Sequence, residues 1–142
     1  MNKFDLVYPM FALVMLSTIV LVKLFRSRVS AVKEGHVSSA YFRIYQGERE
    51  PEKTAKASRQ FSNLFEAPTL YYAACVTAMV VNDVSPWLLM MAWLYVVARV
   101  AHAYVHLGKN RLRHRIRAYF ASWIVLVGMW LHIVVYTAAA HP

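Results

Sequence analysis

Four stretches of this sequence carry no Asp, Glu, Lys or Arg: residues 6–22, 67–82, 84–98 and 118–140. Apolar runs of that length leave a chain few places to fold except a lipid bilayer, whose hydrocarbon core, about 30 Å thick, takes roughly 20 residues of helix to cross. The two middle runs are short, and they reach spanning length only if their polar ends are helical as well. Composition agrees. Apolar residues make up 59% of the 142 and charged residues 16%, far from the soluble balance of about 45–50% and about 25%. That balance excludes a disordered chain and argues against a soluble enzyme, and the single Cys excludes an internal disulfide framework.

Charge then orients the runs. Of sixteen Lys and Arg, nine fall in residues 23–60 and five in residues 108–117. The segment around Asn82 and Asp83 and the C-terminal tail have none. An up-down hairpin of four helices puts both basic segments on one side, which the positive-inside rule makes cytoplasmic, with both termini outside. Residues 23–60 net +5, residues 108–117 net +5 and the remainder −1, which sums to the formal +9. The excess charge therefore reads as a topology signal and a contact for anionic lipid, and no nucleic-acid partner is expected. The first run resembles a signal peptide. However, it lacks a small-residue cleavage site and its bases follow it, so it is expected to remain as an anchor. The expected fold is all-α: one integral membrane domain over residues 1–142, an up-down four-helix bundle with spans at about 5–26, 62–82, 86–107 and 117–140.

Local signals extend some helices past the bilayer. Gly35 suits the end of the first, which then runs beyond Arg26 and Arg28. Pro51 suits the first turn of the second, between Glu50 and Glu52. Ser85 and Pro86 read as the cap and first residue of the third, and Gly108 as the break before the fourth. Residues 35–50 read as a long loop.

Polar residues at membrane depth are costly unless they pair or face a cavity, and two groups of them recur at helical spacing. Arg59, Asn63 and Glu66 stand at i, i+4 and i+7, on one helix face, with Pro68 just beyond, where it is expected to kink the helix. That face offers a cation, an amide and an anion, the complement of a zwitterionic ligand; an Arg59–Glu66 surface pair accounts for it equally well. Arg99, His102 and His106, continuing to Asn110 and Arg113, trace a second stripe if the helix persists past Gly108. A single intramembrane His is ordinarily a hydrogen-bond partner between helices, the reading given to His132. His102 and His106 are also spaced like a helical metal pair, with Glu66 as the third ligand, but the spacing is common by chance and no metal is expected. Antiparallel neighbours bring Glu66 and Arg99–His106 to the same depth. With Arg26 or Arg28 and the bases of 113–117, they make a cationic pocket facing the cytoplasm and suited to an anionic peptide-like ligand. Cys75 reads as a small hydrophobe.

These residues resemble the MAPEG family, the membrane-associated proteins of eicosanoid and glutathione metabolism. Residues 59–68 read Arg-x-x-x-Asn-x-x-Glu with Pro close behind. The segment from Arg99 to Tyr119 reads Arg-Val-Ala-His, then His106-Leu-Gly-Lys, then Arg115 and Tyr119, most like the prostaglandin-E-synthase branch. Two departures stand out: His106 replaces a common Tyr, and Ala67 follows Glu66 where one branch has Tyr.

The resemblance implies a homotrimer with glutathione as co-substrate, bound between subunits near the cytoplasmic face. Arg59, Asn63, Glu66, Arg99, His102, His106, Tyr119 and Arg28 (or Arg26) would hold it, and Arg115 would face its sulfur. A slip of register would put Arg113 or Arg117 there instead. A guanidinium can stabilise a thiolate without a metal. The implied activity is a membrane glutathione transferase or peroxidase acting on an apolar, lipid-soluble substrate among the membrane lipids. The alternative is a non-enzymatic binding or scaffold protein that keeps the fold without catalysis; a proton relay through Glu66, His102 and His106 ranks behind both. The chain ends without a retrieval signal, which points to a bacterial inner membrane.

Overall fold

The computed structural model describes residues 2–47 and 49–140, and every element among them is helical. A 3-10 turn, Lys3–Leu6, leads into α1 (Val7–Lys33). Then follow α2 (Tyr41–Ile44), α3 (Glu52–Asn63), α4 (Ala67–Val80), α5 (Pro86–Leu107) and α6 (Leu112–Ala140). Three segments are long and apolar enough to cross a membrane: Phe4–Lys33, Pro86–Leu107 and Leu112–Ala140. Their outward faces carry large apolar side chains such as Phe11, Ile19, Val97, Ile124 and Val135. Water would penalise that surface heavily, and lipid does not.

The remaining apolar run, residues 67–82, is different. Its helix, α4, has 14 residues, about 21 Å at 1.5 Å per residue. The chain before it is not a continuation but a separate amphipathic helix, α3, and residues 64–66 break the two apart. Pro68 is the physical cause: it has no N–H to give Leu64, and its ring crowds that carbonyl. The last turn of α3 tightens instead, with Leu64 N–H on the Phe61 carbonyl (3.1 Å) and Phe65 N–H on that of Ser62 (2.9 Å).

Caps define the other ends. Gly35, at φ +72, ends α1 in a Schellman turn. The His36 N–H reaches the Ala31 carbonyl (3.0 Å) and the Gly35 N–H reaches Val32 (3.1 Å). Ser85 caps α5 through a 3.1 Å bond from the Leu88 N–H, with Pro86 as the first helical residue. Within residues 35–50 the short α2 folds back, burying Val37 and Tyr41 against Ala31.

The core is small and lies between α4, α5 and α6, closed on the α1 side by Leu6 and Leu13. From α4 come Ala67, Tyr71, Ala74, Cys75 and Ala78, mostly small side chains that let the helices approach closely. Tyr71 stacks on Tyr95 of α5 with ring centroids 4.4 Å apart and planes 7° from parallel. The α5–α6 pairing is the most extensive, and Gly128 leaves room in it for Met91: a Cβ at 128 would lie 2.6 Å from the Met91 terminal methyl. At one end of this core the α4–α5 turn is tied to α6. His132 Nε2 sits 3.3 Å from a carboxylate oxygen of buried Asp83 and 3.4 Å from Ser85 Oγ.

Candidate functional site

One face of α5 changes character along its length. Leu88, Ala92, Tyr95, Arg99, His102 and His106 recur every three or four residues and are all buried. The first three belong to the apolar core; the last three carry the stripe into polar territory. Because side chains at i, i+3 and i+4 share a face, the packing that seats Tyr95 also fixes the direction of the two imidazoles.

The break between α3 and α4 explains Arg99. A helix leaves its last carbonyls without partners, and the Arg99 Nη2 donates to the carbonyl of Asn63, the last residue of α3, at 2.7 Å. The guanidinium is fully buried and lies where the negative end of the α3 dipole favours a cation. Glu66, the residue leading into α4, is an anion at a helix N-terminus, the favourable sign for that end.

Around this break lies a cleft of about 460 Å³, within the range of small-molecule sites. Its walls are Ser58, Arg59, Ser62, Asn63 and Glu66 from α3 and the break, His102 and His106 from α5, and Arg115, Ile116 and Tyr119 from α6. Seven residues singled out by spacing and resemblance therefore meet in one place: Arg59, Asn63, Glu66, His102, His106, Arg115 and Tyr119. Arg59 and Glu66 are exposed, and neither makes an ion pair among the described residues. The cation and the anion of that face are both available to a ligand.

Arg115 is held from two sides. Its Nη1 donates to Asn110 Oδ1 at 3.0 Å and lies 3.4 Å from His106 Nδ1. Asn110 can serve because it takes a left-handed conformation, φ 47, in the turn after Gly108. His106 Nε2 and His102 Nδ1 are buried without a hydrogen-bond partner among the described residues. Tyr119 packs beside His102, with ring centroids 5.8 Å apart.

Four expected residues lie outside the cleft lining. Arg113 and Arg117 are exposed and outside the cleft lining; two residues along a helix is about 200° of rotation, so they point away from the face that carries Arg115. Since α5 ends at Leu107, the stripe does not run on to Arg113 as one helix face. Arg28 also lies outside the cleft. Its guanidinium sits over the rings of Phe42 (5.3 Å) and Tyr45 (5.6 Å), held by the segment that contains α2. Arg99 supports the cleft from behind rather than lining it.

Ser58, Ser62 and Ile116 line the cleft without having been anticipated. The two serines were findable, since 58, 62 and 66 follow the i, i+4 rule. Nothing in the sequence distinguishes Ile116 from the other apolar residues of α6.

The MAPEG family model matches residues 6–135, nearly the whole chain. The chain belongs to the MAPEG family. No curated protein matches it. MAPEG membership together with three spanning-length apolar helices makes this an integral membrane protein, and it brings a general association with glutathione.

Proposed function

We propose that this MAPEG chain is a glutathione-dependent membrane enzyme, a transferase or peroxidase acting on apolar substrates dissolved in the bilayer. The observation that carries this reading is the convergence of Arg59, Glu66 and Arg115 on one cleft from two separate helical regions. Glutathione presents carboxylates, an ammonium and a thiol at separate points. Arg59 offers its fork of donors to a carboxylate, and Glu66 an anion to the γ-glutamyl ammonium. The Asn63 amide suits the peptide groups between them, and the rings of His102 and His106 wall that part of the cleft.

Arg115 supplies the chemistry. A guanidinium beside a thiol favours the thiolate, which is the nucleophile. Asn110 and His106 hold that guanidinium, so His106, where relatives often carry Tyr, acts as a positioning residue. With an electrophile, the sulfur forms a bond to carbon as the leaving group departs with the electron pair. With a lipid hydroperoxide, the sulfur takes the terminal oxygen as the O–O bond breaks and the alcohol leaves. A second glutathione then condenses the sulfenic acid to the disulfide and water. Ile116 and Tyr119 supply the apolar wall along which such a substrate enters.

The wider frame belongs to the same proposal. It comprises an up-down bundle with the basic segments cytoplasmic and both termini outside, a homotrimer, a bacterial inner membrane, and a sequence nearest the prostaglandin-E-synthase branch. Arg28 is outside its own chain's cleft, so any contact it makes with glutathione comes from a neighbouring subunit.

The test is thermal melting of the detergent-purified protein with millimolar glutathione or S-methylglutathione, followed by turnover with an apolar electrophile and a lipid hydroperoxide. A ligand at one hundred times its dissociation constant adds about 2.7 kcal/mol. Stabilisation by both ligands with turnover by glutathione alone is expected. No stabilisation by either, in folded protein, overturns the reading and leaves the scaffold role.

A further inference from the structure

A second groove, of about 670 Å³, lies between α1 and α3 and shares no lining residue with the cleft. Four cations surround it: Lys23, Arg26 and Lys33 from α1 and Lys53 from α3. No carboxylate lines it, and none of the four cations is in an ion pair among the described residues. Of the acids near it in sequence, Glu34 is occupied by Ser30 (2.5 Å) and His36 (3.3 Å) and Glu52 by Lys56 (2.6 Å), while Glu50 makes no ion pair with the groove's cations among the described residues.

A smaller groove of about 260 Å³ runs between α1 and α5, walled by Leu16, Ile19 and Val20 on one side and Val100, Ala103 and Tyr104 on the other. Both grooves include Lys23 and Leu107, so they meet end to end. On α1 the lining positions 16, 19, 20, 23, 26, 27, 30 and 33 form one helical stripe, with Phe25 and Val29 flanking it at the cationic end. Lys23 is the first charged residue after the uncharged run 6–22, so the apolar trough lies at hydrocarbon depth and the cationic mouth at its edge.

We infer that the two grooves together bind one anionic glycerophospholipid of the host membrane, its phosphate held by Lys23, Arg26, Lys33 and Lys53 and one acyl chain laid in the trough between α1 and α5. The two ends are complementary to such a lipid: four unpaired cations match a phosphate, and a contiguous apolar slot matches a chain. This site uses none of the residues that line the cleft, and of those the glutathione reading names it takes only Arg26, the alternative to Arg28.

Native mass spectrometry of the detergent-solubilised protein tests it, with chain-matched phosphatidylglycerol and phosphatidylcholine in equal amounts and inorganic phosphate in a parallel series. Phosphatidylglycerol is expected to be retained several-fold over phosphatidylcholine. A cation near a membrane surface contributes about fivefold to anionic-lipid affinity, so the double variant Lys23→Gln/Lys53→Gln should lose roughly twenty-five-fold. Lys109→Gln/Arg111→Gln, which removes the same charge from the α5–α6 turn, should lose nothing. Val100→Trp fills the trough and should reduce lipid retention while leaving phosphate binding unchanged. Equal retention of the two lipids, or equal losses in the two double variants, overturns the site. Phosphate displacing the lipid as effectively as phosphatidylglycerol itself shows a plain anion site and also overturns it. So does a change of oligomeric mass in Lys23→Gln/Lys53→Gln, which would mark the face as a contact between copies.

Discussion

Arg99 and Arg115 carry the same charge and do different work. Arg99 is buried, with its one bond on the Asn63 carbonyl; Arg115 faces the cleft from a frame made by Asn110 and His106. Arg99→Met keeps much of the volume but leaves that carbonyl unsatisfied, at a cost of about 1–3 kcal/mol. Its melting temperature should fall even without ligand. Arg115→Ala should leave the unliganded melting temperature within experimental error, because the residue belongs to the periphery. It should retain most of the shift with S-methylglutathione while turnover drops by at least tenfold. Arg115→Lys restores charge without the planar fork, and partial recovery of rate is expected. Wild-type turnover by Arg115→Ala would remove it from the chemistry. Glu66→Gln keeps the shape and removes the anion, so the glutathione-induced shift itself should shrink. The spacing 59, 63, 66 singles out these side chains, but the single helix face it predicts does not form: α3 ends at Asn63, and Glu66 reaches the same cleft from the break. The assignment of Arg115 over Arg113 and Arg117 was left open by sequence, because an alternating Arg run has no period of its own and only the start and rotation of α6 select one member.

At the scale of elements, the decisive feature is the interruption before Pro68. Two helices replace one long one, and the break creates the unsatisfied Asn63 carbonyl that draws Arg99 inward. Pro68→Ala restores the missing N–H donor and permits a continuous helix. Such a helix would satisfy the Asn63 carbonyl internally, leave Arg99 without its partner and shift Glu66 from its place in the break, changing its separation from Arg115 across the cleft. The expected result is more helical signal by circular dichroism with a weaker response to glutathione. An unchanged response would show that the break is held by packing and not by the proline. Gly35 has a separate role. Its φ of +72 is costly for any residue with a Cβ, so Gly35→Ala should destabilise by about 1 kcal/mol, read in thermal melts, with glutathione binding unaffected. Helix starts and stops were legible from Gly35, Ser85, Pro86 and Gly108. The folding of residues 35–50 was not, since a four-residue helix has too little sequence to show a period, and α2 is stabilised by the docking of Val37 and Tyr41 against Ala31.

For the whole molecule, orientation is the property with the most direct test. The only native thiol, Cys75, is fully buried, so it provides a silent background for labelling. Single cysteines at Ser39 and at Lys109, one in each basic segment, should react with a membrane-impermeant maleimide only after the cytoplasmic side is opened. A cysteine at Asn82 should react from the outside without permeabilisation. The reverse pattern would invert the proposed topology.

Sequence by itself determined that this chain is a helical membrane protein, which face of each helix is polar, and where most helices stop. Those properties depend on hydropathy, helical period and backbone chemistry, all of which act over a turn or two of neighbouring residues. Tertiary structure decided which stripes meet. Asp83 and His132 pair across 49 positions and Arg99 reaches Asn63 across 36, separations at which no local pattern records a partner. It also decided that Arg28 lies on an aromatic shelf, that Arg115 is the arginine aimed into the cleft, and that a trough between α1 and α5 opens into a cationic mouth. Each of these depends on how far one helix is rotated against another, and that rotation is set by the packing of side chains such as Tyr71 on Tyr95 and Gly128 against Met91.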